Sequence, residues 1–324
     1  MLRAARLLCV ALLGAAASFG LLAQQFGRTP LMQAALFGQV DEVLSLARAG
    51  ASIDATDQFG DTALLLTTRQ GSWPEVVDAL LELGAKVDRP SQIGRTPLMH
   101  ATEVCSPNHL RIVAALLRHG ASVNRRDDLG YTALYFAAAT GVEACSRQLL
   151  AAGADATIAS RDGDTALLAA SRKGSASHVQ LLMAAGASHR AANKYGDTPL
   201  REAAFYDNIP AMTALLAAGA DPNARQTDGT SVLMTAAVRG NPRAVEILLA
   251  AKADANARIP DGRGVLMLML GTPDPSPETM SKLIAAGGNP NWTDKFGSTA
   301  LKLARVRGNL PEVERVLVQA GGKE

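Results

Sequence analysis

The sequence predicts an all-α solenoid of about nine helix-turn-helix units, each carrying a short β-turn finger. Three observations carry this. The glycines Gly27, Gly60, Gly94, Gly130, Gly163, Gly196, Gly229, Gly262 and Gly297 stand 33, 34, 36, 33, 33, 33, 33 and 35 residues apart, and a fixed period near 33 marks one supersecondary unit copied and stacked. Hydrophobic residues make up 48% of the chain but aromatics only 4%, so Ala, Leu and Val fill an interior of closely packed helices. The repeating region is also too long for one globular core, whereas a stack adds core unit by unit.

The elements of the unit follow in order from its most regular copy, which begins at Asn193 and runs to Asn223. Asn193 to Gly196 is turn chemistry, since Asn and Gly tolerate left-handed backbone angles, and it predicts the finger tip. Thr198-Pro199 starts a first helix: the hydroxyl caps free amides and Pro lacks only an N–H that has no partner at that position. Leu200, Ala203 and Ala204 share one face of it. A second, longer helix turns Leu215 and Leu216 toward the core, and Gly219 ends it in a left-handed conformation.

These residues carry a family resemblance. Thr29-Pro30-Leu31, Thr96-Pro97-Leu98 and Thr198-Pro199-Leu200, with Leu-Leu-x-x-Gly-Ala and close variants at Leu149, Leu182, Leu215 and Leu248, resemble ankyrin repeats over nearly all of the chain beyond its first two dozen residues. Repeats are expected to start near residues 24, 57, 91, 127, 160, 193, 226, 259 and 294, within a single region spanning 24–324. One departure stands out. The family places His directly after Thr-Pro-Leu, where this chain has Met32, Leu65, Met99, Tyr135, Leu168, Arg201, Met234, Met267 and Lys302, while His100 comes one residue late. The expected consequence is looser hydrogen bonding between fingers, with apolar packing taking more of the load.

Two copies are irregular. In the eighth, Arg263 to Gly271 lacks the Thr cap and Pro273-Asp-Pro-Ser-Pro277 lengthens the loop between its helices. In the third, Glu103 to Asn108 does the same. Insertions in stacked repeats map to loops, so both are expected to project as surface variation.

The N-terminus differs from the rest. Met1 to Arg6 is basic and free of acid, Leu7 to Ala23 is uninterrupted small or apolar sequence, and Gln24 opens the first repeat. Residues 1–23 read as a secretory signal peptide, with an uncleaved inner-membrane anchor over residues 7–23 as the alternative. The Ala- and Arg-rich composition suggests a bacterial source, so export means the periplasm or beyond. Loss of Arg3 and Arg6 would bring 32 basic residues to 30, equal to the 30 acids. A neutral surface does not supply the phosphate neutralisation that drives nucleic-acid binding.

After export two cysteines remain, Cys105 and Cys145. An oxidising compartment permits a bridge, but the resemblance gives Cys145 a position of buried aliphatic residues and implies a small core thiol. No nucleophile elbow, zinc-binding His pair, phosphate-cradling loop or paired-Cys zinc spacing occurs. His100, His109, His119, His178 and His189 fall at unrelated places and read as solvated or capping side chains. Asp162-Gly163-Asp164 and Asp261-Gly262 lack the later ligands of a calcium loop and read as finger turns. No cofactor, no metal and no catalytic residue is expected.

What remains is the surface that repetition builds. The resemblance implies a concave face of fingers and first helices, with partner contacts from residues flanking the marker glycine and near the end of the first helix. Those positions give Tyr131, Arg161, Arg172, Lys173, Lys194, Tyr195, Phe205, Tyr206 and Arg239 as the candidate partner-binding set. Aromatics beside Arg are the composition of binding hot spots. Finger tips add Phe26, Phe59, Ile93, Leu129 and Phe296, which could equally pack finger on finger. The sequence therefore reads as a non-catalytic, monomeric interaction scaffold for a protein partner, with no nucleic acid and no membrane contact beyond a possible N-terminal anchor. The alternative is an accessory or small-molecule-binding protein assisting a periplasmic enzyme.

Overall fold

The computed structural model describes residues 26–324, so the leader expected over residues 1–23 lies outside the described residues. Helices come in pairs: α1 (Pro30–Leu36) with α2 (Val40–Arg48), α3 (Ala63–Gln70) with α4 (Pro74–Glu82), α5 (Pro97–Thr102) with α6 (Pro107–Arg118), and α7 (Ala133–Thr140) with α8 (Glu143–Ala151). The later pairs are α9 (Ala166–Lys173) and α10 (Ala176–Ala184), α11 (Pro199–Phe205) and α12 (Ile209–Ala217), and α13 (Val232–Val238) and α14 (Pro242–Ala250). The last two are α15 (Val265–Met269) with α16 (Pro277–Ala285), and α17 (Ala300–Arg307) with α18 (Pro311–Gln319). Among the described residues extended pairing is confined to isolated bridges such as Arg225 with Ser231. The architecture is an all-α repeat solenoid.

The described residues form two compact units, one of residues 26–137 with Ala144–Ala154, the other of Ala138–Glu143 with Asp155–Glu324. Within the first, α1, α3 and α5 pack side by side, as do α2, α4 and α6. Within the second, α9, α11, α13, α15 and α17 form one row, and α10, α12, α14, α16 and α18 the other. Leucines at one recurring position, Leu149, Leu182, Leu215 and Leu248, are fully buried. Burial of each such side chain contributes roughly 1.5–3 kcal/mol, and only a neighbouring repeat can supply that environment.

Local chemistry explains the helix starts. Thr29, Thr62, Thr96, Thr132, Thr165, Thr198 and Thr299, with Ser231, each accept a hydrogen bond from the amide three residues on. Such a cap is worth about 1 kcal/mol. At three of the four positions where Met stands in place of the family's His, sulfur takes the reciprocal bond: the Thr29, Thr96 and Ser231 amides donate to Met32, Met99 and Met234 Sδ at 3.4, 3.5 and 3.4 Å. All nine marker glycines have φ between 66 and 88°, a region in which a Cβ is costly. Lys252, at φ 66°, occupies a helix-ending left-handed position that Gly219 fills two helices earlier.

The fingers are more regularly bonded than the sequence suggested. Backbone amides of Gln58, Asp128, Lys194, Thr227 and Lys295 donate to the carbonyls of Phe26, Ile93, Asp162, Tyr195 and Asp261 in the preceding fingers. Inside the finger, Asp57, Asp127, Asn193 and Asp294 each accept two amides through one Oδ1 atom. Backbone and Asx groups supply this network, so the missing histidine loosens nothing in these fingers. A second ladder runs through the return loops, where Asn223, Asn256 and Asn291 Nδ2 donate to the helix-ending carbonyls of Lys252, Gly287 and Gly321.

Three sequence expectations are corrected. His109 and His178 do not fall at unrelated places: each sits three residues after a serine that caps a second helix, Ser106 or Ser175. Both are buried, as is His100, so the solvated reading fails for three of the five. Gly71 is adjacent to the His109 ring, and a Cβ there would lie 2.0 Å from it; burial lowers the imidazole pKa. Cys145 is not a free core thiol but is disulfide-bonded to Cys105, with Cα atoms 6.0 Å apart. The third-repeat insertion therefore turns inward, with Cys105 buried while Val104 stays exposed.

The eighth repeat is the least regular. Its first helix has five residues and begins at Gly264 without a side-chain cap. Its long loop is tied down from the next repeat, Arg307 donating to the carbonyls of Leu270 and, at 2.7 Å, of Pro273. Because coupling runs between neighbours, the eighth and ninth repeats should open before the rest of their unit. Hydrogen exchange should be faster from Gly262 onward than across α9 to α14; equal protection in both regions would contradict this.

Candidate functional site

In the second unit the ends of α9, α11 and α13 bring aromatic and basic side chains together. Pro199 fixes the start of α11 and Tyr206 ends it as C-cap, which places Phe205 and Tyr206 in the last turn. Their ring centroids are 5.1 Å apart in an edge-to-face arrangement, a favoured geometry for aromatic pairs. Tyr206 is 48% exposed and Phe205 half-buried. Arg172, from the end of α9, lies 5.9 Å from the Tyr206 ring centroid. Arg201 and Arg239 lie 4.9 and 5.1 Å from that of Phe205. Each contact is worth roughly 0.5–1 kcal/mol at an exposed site.

The arginines at the rings share a carboxylate that the sequence reading missed. Glu202 is buried; Arg172 Nε meets its Oε2 at 2.5 Å and Arg201 Nη1 its Oε1 at 3.1 Å. Arg201 also reaches Asp197 at 3.2 Å. Burying a lone carboxylate is expensive, and two guanidinium groups offset that cost while losing their own freedom to move. The signal in the sequence was an acid placed between Leu200 and Ala203 on an otherwise apolar face.

The other expected site residues divide. Lys194 and Tyr195 are exposed at the finger tip, with Nζ 5.0 Å from the ring centroid. Lys194 also bridges fingers by donating to Asp162 Oδ1 at 2.7 Å, and that hydrogen bond raises its pKa. Arg161 and Lys173 are exposed. Tyr131 lies in the first unit, half-buried against Tyr135 at 4.2 Å and Phe136 at 5.9 Å. Arg95 stacks on Phe136 at 4.5 Å and pairs with Glu103 and Asp127, so an Arg clamped between ring and carboxylate recurs there.

At the finger tips the two readings separate by position. Phe26 and Phe59 pack together at 6.0 Å, whereas Ile93, Leu129 and Tyr195 are each more than half exposed. Among the described residues no group of three or more His, Cys, Asp and Glu side chains could hold a metal ion. Likewise no helix among them is long and apolar enough to cross a membrane.

A family model described as ankyrin repeats in three copies matches in overlapping placements at residues 3–91, 31–127, 88–160, 104–191, 144–226 and 200–272. The chain belongs to the ankyrin repeat family. Repeats of this family generally mediate protein–protein interaction and are typically non-enzymatic. The first placement begins at residue 3, inside the segment read as a leader. Inversin of Gallus gallus is similar, with 35% identity over 89 residues, which is 28% of this chain and 8% of that protein. The chain thus spans a small fraction of that relative's length.

Proposed function

We propose that this ankyrin-repeat protein is an exported, non-catalytic scaffold that binds a partner protein through the concave face made by its fingers and first helices. The observation that carries the reading is the Phe205–Tyr206 pair, two large rings held at the surface by three guanidinium groups from three successive repeats. Rings held in place before binding lose little entropy on contact, which is how a few residues come to dominate an interface. The resolved pKa shifts of Lys194, Glu246, Asp261 and Lys282 all favour the ionised form through hydrogen-bonded partners. Shifts of this kind mark surface ion pairs and turn hydrogen bonds.

Export rests on the basic start and apolar run of residues 1–23, and the Cys105–Cys145 bridge suits an oxidising compartment. Intact mass of exported material should correspond to a chain starting near Gln24; full-length chain in membranes would favour the anchor instead.

The second reading, a small-molecule-binding accessory protein, draws on a cavity of about 480 Å³ at repeats eight and nine, lined by Met267, Leu270, Phe296, Leu303 and Val306 among others. Substitutions separate the two. Truncating a central aromatic anchor costs about 2 kcal/mol or more of binding, and a rim charge far less. Tyr206→Ala should therefore weaken binding to a captured partner more than Lys173→Ala, with little effect of either on melting. Leu215→Ala should instead cost roughly 2–5 kcal/mol of stability through the cavity it leaves. Unchanged binding by Tyr206→Ala, or melting as early as Leu215→Ala, would contradict the assignment.

A further inference from the structure

The cations around the two rings are not equivalent. Arg172 and Arg201 are committed to Glu202, and Lys194 to Asp162. Arg239 is exposed at the C-cap of α13 and stacked over Phe205. Among the described residues no carboxylate lies within ion-pairing distance of Arg239, nor of exposed Arg161 or Lys173, whereas on the second helices Arg111, Arg118, Arg243 and Lys282 are all paired with acids. The acid next to Tyr206 in the chain, Asp207, accepts a hydrogen bond from Asn241 Nδ2 at 3.1 Å.

We propose that the face of repeats five to seven takes an acidic segment of its partner protein, an Asp or Glu carboxylate docking on Arg239 while an apolar side chain lies against Tyr206. The inference rests on the reading of this face as the binding surface. A guanidinium laid on a ring is held in orientation, and its N–H edges form the fork that a carboxylate matches with two parallel hydrogen bonds. Arg is also more weakly hydrated than an ammonium, so covering it costs less. A basic partner would instead set like charges together beside Lys173 and Arg239, which costs affinity.

The test is selection of a displayed library of random peptides of about twelve residues on the full chain, with counter-selection on Tyr206→Ala. Binders that require Tyr206 should be rich in Asp and Glu around an apolar residue. A synthetic copy of one should lose about tenfold in affinity against Arg239→Ala and weaken on addition of salt, while Arg239→Ala melts like the parent. Tyr206-dependent binders of neutral or basic composition would overturn the acidic assignment and leave the binding face standing. Acidic binders indifferent to Arg239→Ala would overturn the docking on Arg239. Binders indifferent to Tyr206, or none at all, would remove the reading beneath the proposal.

Discussion

One constraint governs this molecule: a single helix pair of about 33 residues cannot bury its own apolar face. Leu149, Leu182, Leu215 and Leu248 reach complete burial only because another repeat stands beside each. Small residues make this possible, since Ala203, Ala204, Ala236 and Ala237 are buried at helix-helix contacts that larger side chains would force apart. The same arrangement frees other positions. Once the inward faces satisfy the core, the finger tips and the last turns of the first helices carry little packing duty, and Tyr195, Tyr206 and Val238 stand exposed there.

Polar groups set the register of the repeats rather than drive their association. Finger amides bonded to the preceding finger's carbonyls, and solvent-exposed return-loop asparagines bonded to the next repeat's helix end, disfavour any slip along the row because each slip would break a whole series of these bonds. The Cys105–Cys145 bridge adds a covalent tie within the first unit. Closing such a loop removes freedom from the unfolded chain, an effect worth on the order of 2–4 kcal/mol in comparable disulfides.

The repetitive elements were legible in the sequence because each depends on local chemistry. A glycine at positive φ, a Thr or Ser accepting an amide and a Pro at the first helical turn state their roles within four residues. What escaped was set by contacts between repeats. Glu202 drew no reading from the sequence, because the guanidinium groups that hold it buried come from 30 residues earlier as well as from the preceding residue. Cys105 lay in an insertion, and only the way its loop turns inward brings it to Cys145. His109 and His178 seemed scattered because the third-repeat insertion obscured their shared place after a capping serine. The candidate residues Phe205, Tyr206, Arg172 and Arg239 were named by position alone; their ring and ion-pair contacts, and the division of cations into paired and unpaired, needed the fold.

The central claim is that recognition uses the finger and first-helix face of repeats five to seven. Hydrogen exchange of the protein with and without a captured partner tests it most directly, because the footprint is read along the whole backbone. Slowed exchange over residues 194–207 and 227–240, with α10, α12 and α14 unchanged, is the expected result. Protection confined to those second helices, or to the cavity at repeats eight and nine, would contradict the account.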